Sequence, residues 1–492
     1  MNRIGSEAGF LARQSSIYAI GNMLQRISSL LLLPVYTRYL TTSDYGIKEL
    51  LTITTDVASV LISAAVSLVL YRIYYQFDDD KSRRQVISSS YIYMAGAGGL
   101  VLLVLLPFTG WLSKLILGEA GLRSYLLISF GALWFQMINR ISYDYLRARQ
   151  KAMQVVGFSL LRLILGIALN IWFIVGLHMG VIGVLWSTLI TGGVIFLALT
   201  VPQIVRVGLR FSWPIMKEMY TFGLPLVWSQ LGSMVVHLSD RFFIKSMISL
   251  GDTGIYSLGY RLGTLPSMAV VEPFNQTWLP RRYEIHKQPD HARTFGRIFT
   301  YYVGGLGFAA LAISVLARDL VRIMSEPSFW GAAAVVPVVA LANSIFALHY
   351  HLNFGLMLAK RSKVIAAINM SNAVMVLGLN WYLIPRLGMM GAAWATLAGF
   401  VYKIGLTWAF SRRDYSPEFE GRRLTHLLVT IGLIYGASRL FYLDAVWPNA
   451  AINCGLLALY PLSLWFTGFL SSGEKDAVRR LTRRLLRRPA AA

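Results

Sequence analysis

Acidic residues are scarce in this sequence, with 23 Asp and Glu against 46 Lys and Arg. All charged residues together make up only 14% of the 492 positions. A soluble globular chain carries roughly 25%, so low charge with a mean hydropathy of +0.56 excludes that class and points to a polytopic membrane protein. Cysteine is almost missing. Cys454 stands alone in an apolar run, which excludes an intramolecular disulfide and argues against a cysteine metal site. No P-loop, dinucleotide fingerprint or metalloprotease motif occurs. The connectors between apolar runs are too short to hold a soluble catalytic domain. Asp78-Asp79-Asp80 reads as a solvated acidic turn. His349 and His351 do not share one helical face, so no metal site is expected there. No cofactor is expected.

Apolar runs dominate what remains. Windows of about 20 residues, the length that spans a bilayer as a helix, give about fourteen candidate spans. They centre near Arg26, Val60, Gly98, Leu133, Leu165, Thr191, Ser233, Leu265, Gly307, Ile345, Val374, Gly399, Leu433 and Leu459. The fold class expected is an all-α integral membrane protein. Arg3 and Arg13 precede the first span, and no convincing small-residue cleavage site follows, so this helix reads as a retained signal-anchor.

The chain repeats itself. Asp44-Tyr45-Gly46-Ile47-Lys48-Glu49-Leu50 is echoed by Asp252-Thr253-Gly254-Ile255-Tyr256-Ser257-Leu258, an offset of 252 − 44 = 208 residues. Gly180-Val181-Ile182-Gly183 through Leu189 is echoed by Gly388-Met389-Met390-Gly391 through Leu397, and 388 − 180 is again 208. Two echoes in register argue for a duplicated unit. An even number of spans per unit gives both halves the same orientation, hence two parallel six-helix bundles about an axis along the membrane normal. The boundaries expected are 1–205 and 206–413 for the bundles, 414–472 for an extra helix pair and 473–492 for a basic tail. The glycines of the Gly180 and Gly388 segments read as points of close helix approach.

Lys and Arg collect in alternate connectors, including Arg147/Arg149/Lys151, Arg206/Arg210/Lys217 and Arg281/Arg282/Lys287. That pattern puts both termini in the cytoplasm, and most of the +23 net charge is topology rather than a nucleic-acid partner. From Glu474 to Arg488 paired arginines oppose Val478, Leu481 and Leu485, the pattern of a helix lying on anionic headgroups.

Polar groups at bilayer depth need a reason to be there. The first span carries Tyr18, Asn22, Gln25, Arg26 and Ser29 at helical spacing, and the seventh carries Gln230, Ser233, His237, Asp240 and Arg241. The second adds Thr52, Asp56, Ser59 and Ser63, and the eighth Tyr260, Arg261, Thr264 and Ser267. These stripes read either as interhelical glue or as the lining of a cleft. Arg140 and Asp144, one turn apart, read as a local ion pair, and Asp240-Arg241 reads as glue or as an interface anchor. Arg26, Arg261 and Arg162 lack an acidic partner at helical spacing, which suits an anionic ligand held by guanidinium groups. Asn22, Gln25, Gln230, His237 and Arg241 would complete the lining, with Asp56 and Glu272 as candidate ion-coupling carboxylates.

Leu33-Pro34-Val35-Tyr36-Thr37-Arg38-Tyr39-Leu40 before Asp44-Tyr45-Gly46 resembles Wzx-type lipid-linked oligosaccharide flippases. So does Phe222-Gly223-Leu224-Pro225 leading to Ser239-Asp240-Arg241-Phe242-Phe243-Ile244 and Gly254-Ile255-Tyr256-Ser257. These flippases belong to the multidrug/oligosaccharidyl-lipid/polysaccharide exporter superfamily. The resemblance implies two bundles around a cationic cavity opening alternately to cytoplasm and periplasm. It implies an undecaprenyl-diphosphate-linked oligosaccharide as substrate, flipped across the bacterial inner membrane for surface or secreted polysaccharide. Polysaccharide polymerases and glycosyltransferases are the protein partners it implies, and proton or sodium the drive. By position, Arg26 and Arg261 resemble the cavity cations of such proteins. Alternatives within the superfamily are a lipid II-type flippase and a multidrug cation antiporter. A membrane glycosyltransferase or polymerase, or a structural scaffold, stands outside it.

Overall fold

The computed structural model describes residues 31–441 and 443–476. The stripe Tyr18–Ser29 with Asn22, Gln25 and Arg26, and the amphipathic tail beyond Asp476, lie outside the described residues. No strand occurs among those that are described. The short helix that follows the first predicted span is α1 (Leu33–Tyr39), and the helices at the next span positions are α2 (Thr42–Ser67), α3 (Asp80–Leu105), α4 (Arg123–Ala148), α5 (Ala152–Ile171), α6 (Gly180–Ile195) and α7 (Trp213–Met247). They continue as α8 (Leu250–Gly263), α9 (His291–Val315), α10 (Ala332–Ala347), α11 (Ser362–Leu387), α12 (Met389–Ser411), α13 (Gly421–Leu440) and α14 (Val446–Phe466). Short helices fill several connectors.

Eight helical stretches among the described residues are long and apolar enough to cross a membrane, and they contain α3, α5, α6, α9, α10, α11, α12 and α14. The chain is therefore a multi-pass helical membrane protein. The helices α2, α4, α7, α8 and α13 sit where spans are expected but are more polar. Four of the five carry residues singled out above as misplaced in lipid. The eighth span is also broken: α8 stops at Gly263, a wide turn runs Ser267–Val271 behind Pro266, and the helix resumes over Glu272–Ile285. Proline removes a backbone donor and crowds the preceding turn, so a break is expected there.

Local chemistry sets the element ends. Asp79 caps α3 by accepting from the Ser82 backbone N–H at 2.7 Å, and that bond holds its carboxyl below the ordinary aspartate value. Gly180 and Gly388 both have φ +60 and no neighbour within 4 Å of a built Cβ. They supply left-handed turns entering α6 and α12, not close packing. Close approach falls instead to the second glycine of each echo, where a Cβ on Gly183 would meet Phe173 Cβ at 2.9 Å and one on Gly391 would meet Leu383 O at 2.3 Å.

Contacts divide the chain into two compact units. One holds residues up to Ser257 with Met324–Phe329 and Leu377–Ala392; the other holds Leu258–Ile323, Trp330–Val376 and the chain from Ala393 onward. The core of the first unit packs α2, α3, α4 and α6 around Leu50, Val66, Leu70, Tyr91, Phe130 and Leu133. The link from α6 to α7 is pinned there, since Ser88 Oγ accepts from Arg210 N at 2.5 Å and Ser89 Oγ from Ser212 N at 2.9 Å.

In the second unit α13 and α14 lie against α9 through Leu311, Val315, Leu427, Ile434, Leu457 and Tyr460. Tyr460 donates to Gly304 O at 2.9 Å. Asp319, 3% exposed, accepts from Asn449 Nδ2 at 2.8 Å and Asn453 Nδ2 at 2.9 Å. Beyond α14, Glu474 joins Arg423 at 3.0 Å. Burial opposes the Glu474 charge, but the Tyr301 hydroxyl, the Ser471 backbone and Arg423 together hold its carboxyl below the ordinary value.

Candidate functional site

Within the first unit α2 runs beside α7 and meets the start of α8, and a glycine marks each approach. At one end a Cβ on Gly223 would fall 2.1 Å from Ala65 O. Val60, Ala65 and Val227 pack next to it, flanked by Leu231 and Met234. At the other end the two echoed motifs meet each other. A Cβ on Gly46 would lie 2.2 Å from Leu250 O and 3.2 Å from Gly254 N. A Cβ on Gly254 would lie 2.1 Å from Thr42 O and 3.0 Å from Gly46 N. Leu250 is Thr42 shifted by 208 positions, as Gly254 is Gly46, so the contact is reciprocal in the manner of a two-fold interface.

Matching caps support this seam. Thr41 Oγ1 donates to Asp44 Oδ2 at 2.8 Å, and Asp44 N donates back to Thr41 Oγ1 at 3.1 Å. Ser249 Oγ donates to Asp252 Oδ2 at 2.5 Å, and Asp252 N donates back at 3.0 Å. Each reciprocal pair satisfies helix-start donors and points its acid at the positive end of a helix dipole.

Beside these seams α2 and α7 leave polar side chains uncovered. Thr52 and Asp56 on α2, and Gln230 and Ser233 on α7, are exposed, and His237 is half-buried. Lipid cannot solvate such groups, so they require water or a ligand. Arg241 is different. It is 6% exposed, donates to Asp240 Oδ1 at 2.6 Å and to His237 O at 2.7 Å, and Tyr256 OH donates to Asp240 Oδ2 at 2.6 Å.

Asp144 also departs from expectation. It pairs with Arg147 at 3.1 Å and accepts from Tyr71 OH at 2.9 Å, while Arg140 is exposed. Spacings of three and four residues both bring side chains together on a helix, so spacing alone does not decide between the two arginines.

Arg162 lines a separate polar cavity of about 150 Å³ between α4, α5 and α6, with Gln136, Asn139, Asn170 and Thr191. Asn170 there accepts from Tyr36 OH at 3.0 Å and donates to Ser187 Oγ at 2.8 Å, an interhelical glue role. In the second unit Arg261 on α8 is half-buried and Glu272, half-buried, opens the helix Glu272–Ile285. His351 is buried among aromatic rings and stacks on Trp278 with centroids 4.5 Å apart. No group of His, Cys, Asp or Glu among the described residues could hold a metal.

Sequence reasoning missed two features. Arg282, counted among topology charges, is 5% exposed and donates to Tyr350 O at 2.9 Å. An apolar groove of about 410 Å³ lies between α9, α10 and α13, lined by Leu306, Leu311, Pro337, Leu341, Ile431 and Tyr435. Neither has a local sequence signature, because an apolar groove reads as ordinary membrane-span composition.

Residues 11–286 match the family model described as polysaccharide biosynthesis protein. The chain belongs to that family. Its fold is shared with solved transporters of very different sequence. The lipid II flippase MurJ in an inward closed conformation aligns with a TM-score of 0.71 at 14% identity, covering 92% of this chain and 99% of that one. A multidrug resistance MATE family transporter of the MOP superfamily in an inward-facing conformation aligns at 0.64 with 14% identity, covering 82% and 96%. The Vibrio cholerae MATE transporter VcmN in its bent form aligns at 0.52 with 16% identity, covering 83% and 98%. Such identities show the fold alone. Among curated proteins, the thiamine transport system permease ThiP of Brucella abortus is 29% identical over 238 residues, 44% of this chain and 42% of its own length. The family member thus spans about two-fifths of that relative.

Proposed function

We propose that this polysaccharide biosynthesis family member is a flippase carrying a polyprenyl-diphosphate-linked oligosaccharide across the bacterial inner membrane by alternating access. The carrying observation is the pairing of α2 with α7 and with the start of α8, closed by a glycine contact at each end. In a two-state transporter the seam at one membrane face opens while the other stays shut. Backbone-to-backbone contacts at glycine suit such a seam, because they come apart without unpairing side chains. With both termini cytoplasmic, the Gly223–Ala65 contact lies toward the cytoplasm and the Gly46–Gly254 contact toward the periplasm. The repeats 1–205 and 206–413 are the bodies that rock.

The family and the cations that the sequence singles out support this substrate class. Arg26 and Arg261 would hold the diphosphate through parallel hydrogen bonds. Asn22, Gln25, Gln230 and His237 would solvate the sugars, and the apolar groove beside α13 suits a polyprenyl tail. Arg241 and Arg162 would contribute field rather than contact. Asp56, exposed on α2 among the polar groups beside the seam, is the better placed of the two coupling candidates. MurJ is a lipid II flippase by its title, which makes lipid II the second reading of the substrate.

The test is Arg26→Ala and Arg261→Ala, each compared with Lys at matched membrane levels. Loss of polysaccharide export with precursor accumulating on the cytoplasmic face, partly rescued by Lys, is expected. Normal export from both Ala variants contradicts the diphosphate site.

A further inference from the structure

Several cations that the sequence assigns to topology converge on one cavity. It measures about 600 Å³ and sits where α3 begins, α4 ends, α5 begins and the extension of α6 runs through Val201–Val207. Arg84, Arg149, Lys151 and Arg206 line it, and no Asp or Glu does. Arg84 is paired with Asp80 at 2.6 Å and Arg149 donates to Tyr145 OH at 3.1 Å. Lys151 and Arg206 are exposed and have no ion-pair partner among the described residues.

A neutral side chain completes the wall. Gln203 is 8% exposed, and its amide lies 2.9 Å from Tyr91 OH. Behind it Tyr91 OH contacts Ser142 Oγ at 2.8 Å, Ser142 contacts Thr200 Oγ1 at 2.7 Å, and Thr200 donates to Asn139 Oδ1 at 2.8 Å, while Asn139 Nδ2 donates to Gly192 O at 2.9 Å. Three hydroxyls have three protons for four bonds, so the run takes its first proton from the Gln203 amide. The helix α5 also starts here with no side-chain cap on its first N–H groups. Unpaired cations and an open helix start in one concavity are complementary to a phosphate.

The remaining wall is apolar. Leu146, Phe158 and Leu199 line it, and Met153, Leu197 and Val205 on the adjoining helices are exposed. A charged floor beside a lipid-facing apolar rim fits a molecule with both parts. We infer that this cavity binds a phosphate-headed anion at the membrane surface, with an anionic phospholipid of the inner leaflet as the ligand that fits both walls. The site lies within one repeat, apart from the α2–α7 seam, and does not depend on the flippase reading.

The experiment uses full-length protein in native mass spectrometry with phosphatidylglycerol and with phosphatidylcholine of the same chains. A parallel arm follows thermal stability with millimolar inorganic phosphate. Variants are the Lys151→Ala/Arg206→Ala pair and Gln203→Glu, with Arg293→Ala/Arg297→Ala as a control that removes the same charge elsewhere. Selective retention of phosphatidylglycerol is expected, weakened about fivefold for each cavity cation removed and unaffected by the control pair. Stabilisation by inorganic phosphate that the cavity variants abolish, without preference for phosphatidylglycerol, also upholds the anion site but assigns it to a soluble phosphate. Equal binding of every probe by wild type and cavity variants, or an equal loss in the control pair, overturns the site.

Discussion

At the residue scale, the glycines of the echoed motif make the sharpest demand. A methyl group on Gly46 or Gly254 cannot fit at about 2 Å from a carbonyl oxygen, and the obstructing atoms are backbone. Gly46→Ala or Gly254→Ala must therefore part the seam, at a cost only in the state where it is shut. Both substitutions are expected to raise the population open on that side. Alkylation of a cysteine placed at Thr42 in a Cys454→Ala background would read this as faster labelling; unchanged labelling would show that the seam is static. Asp240 makes a different demand. Its removal leaves Arg241 buried and Tyr256 without its acceptor, so Asp240→Ala is expected to cost about 3–5 kcal/mol. Thermal unfolding in detergent checks this, and Arg241→Ala should cost comparably if the pair acts as one unit.

At the element scale, thirteen of the fourteen apolar runs fall on described helices, the run centred near Arg26 lying outside the described residues, because hydropathy over about 20 residues is fixed by bilayer thickness. The 208-residue offset likewise anticipates that matching motifs play matching parts, as the twin caps at Thr41/Asp44 and Ser249/Asp252 do. Less was legible where several partners satisfy the same rule. Helical spacing offered Arg140 to Asp144, and packing chose Arg147. Composition offered the glycines of the Gly180 and Gly388 segments as close contacts; Gly183 and Gly391 are such contacts, and backbone conformation gave Gly180 and Gly388 turns instead. Charge counting offered Arg149, Lys151 and Arg206 as topology, and only the fold gathers them around one cavity. The attachment of α13 and α14 was also invisible, since Asp319 lies more than a hundred positions from Asn449 and Asn453. Asp319→Ala leaves the buried Asn449 amide without its acceptor and Asn453 with only a 3.4 Å bond to Val315 O, and is expected to loosen that pair from α9 by about 1–3 kcal/mol. Limited proteolysis between residues 414 and 420 would show it as faster cleavage, and wild-type protection would contradict the role.

At the scale of the whole molecule, family, fold and polarity describe one kind of machine. Apolar helices form the bulk, and among the more polar ones α2 packs against α7 and against the start of α8. A ligand can drive such a machine only through different affinity for its two states. The most direct measurement is translocation by the purified protein in proteoliposomes, using a fluorescent polyprenyl-diphosphate oligosaccharide and a reagent that destroys label only on the outer face. Transport by alternating access predicts that the protected fraction decays quickly with wild type, and slowly with the Arg26→Ala/Arg261→Ala protein at equal incorporation. Decay no faster than in empty vesicles, or equally fast in the double variant, would contradict it.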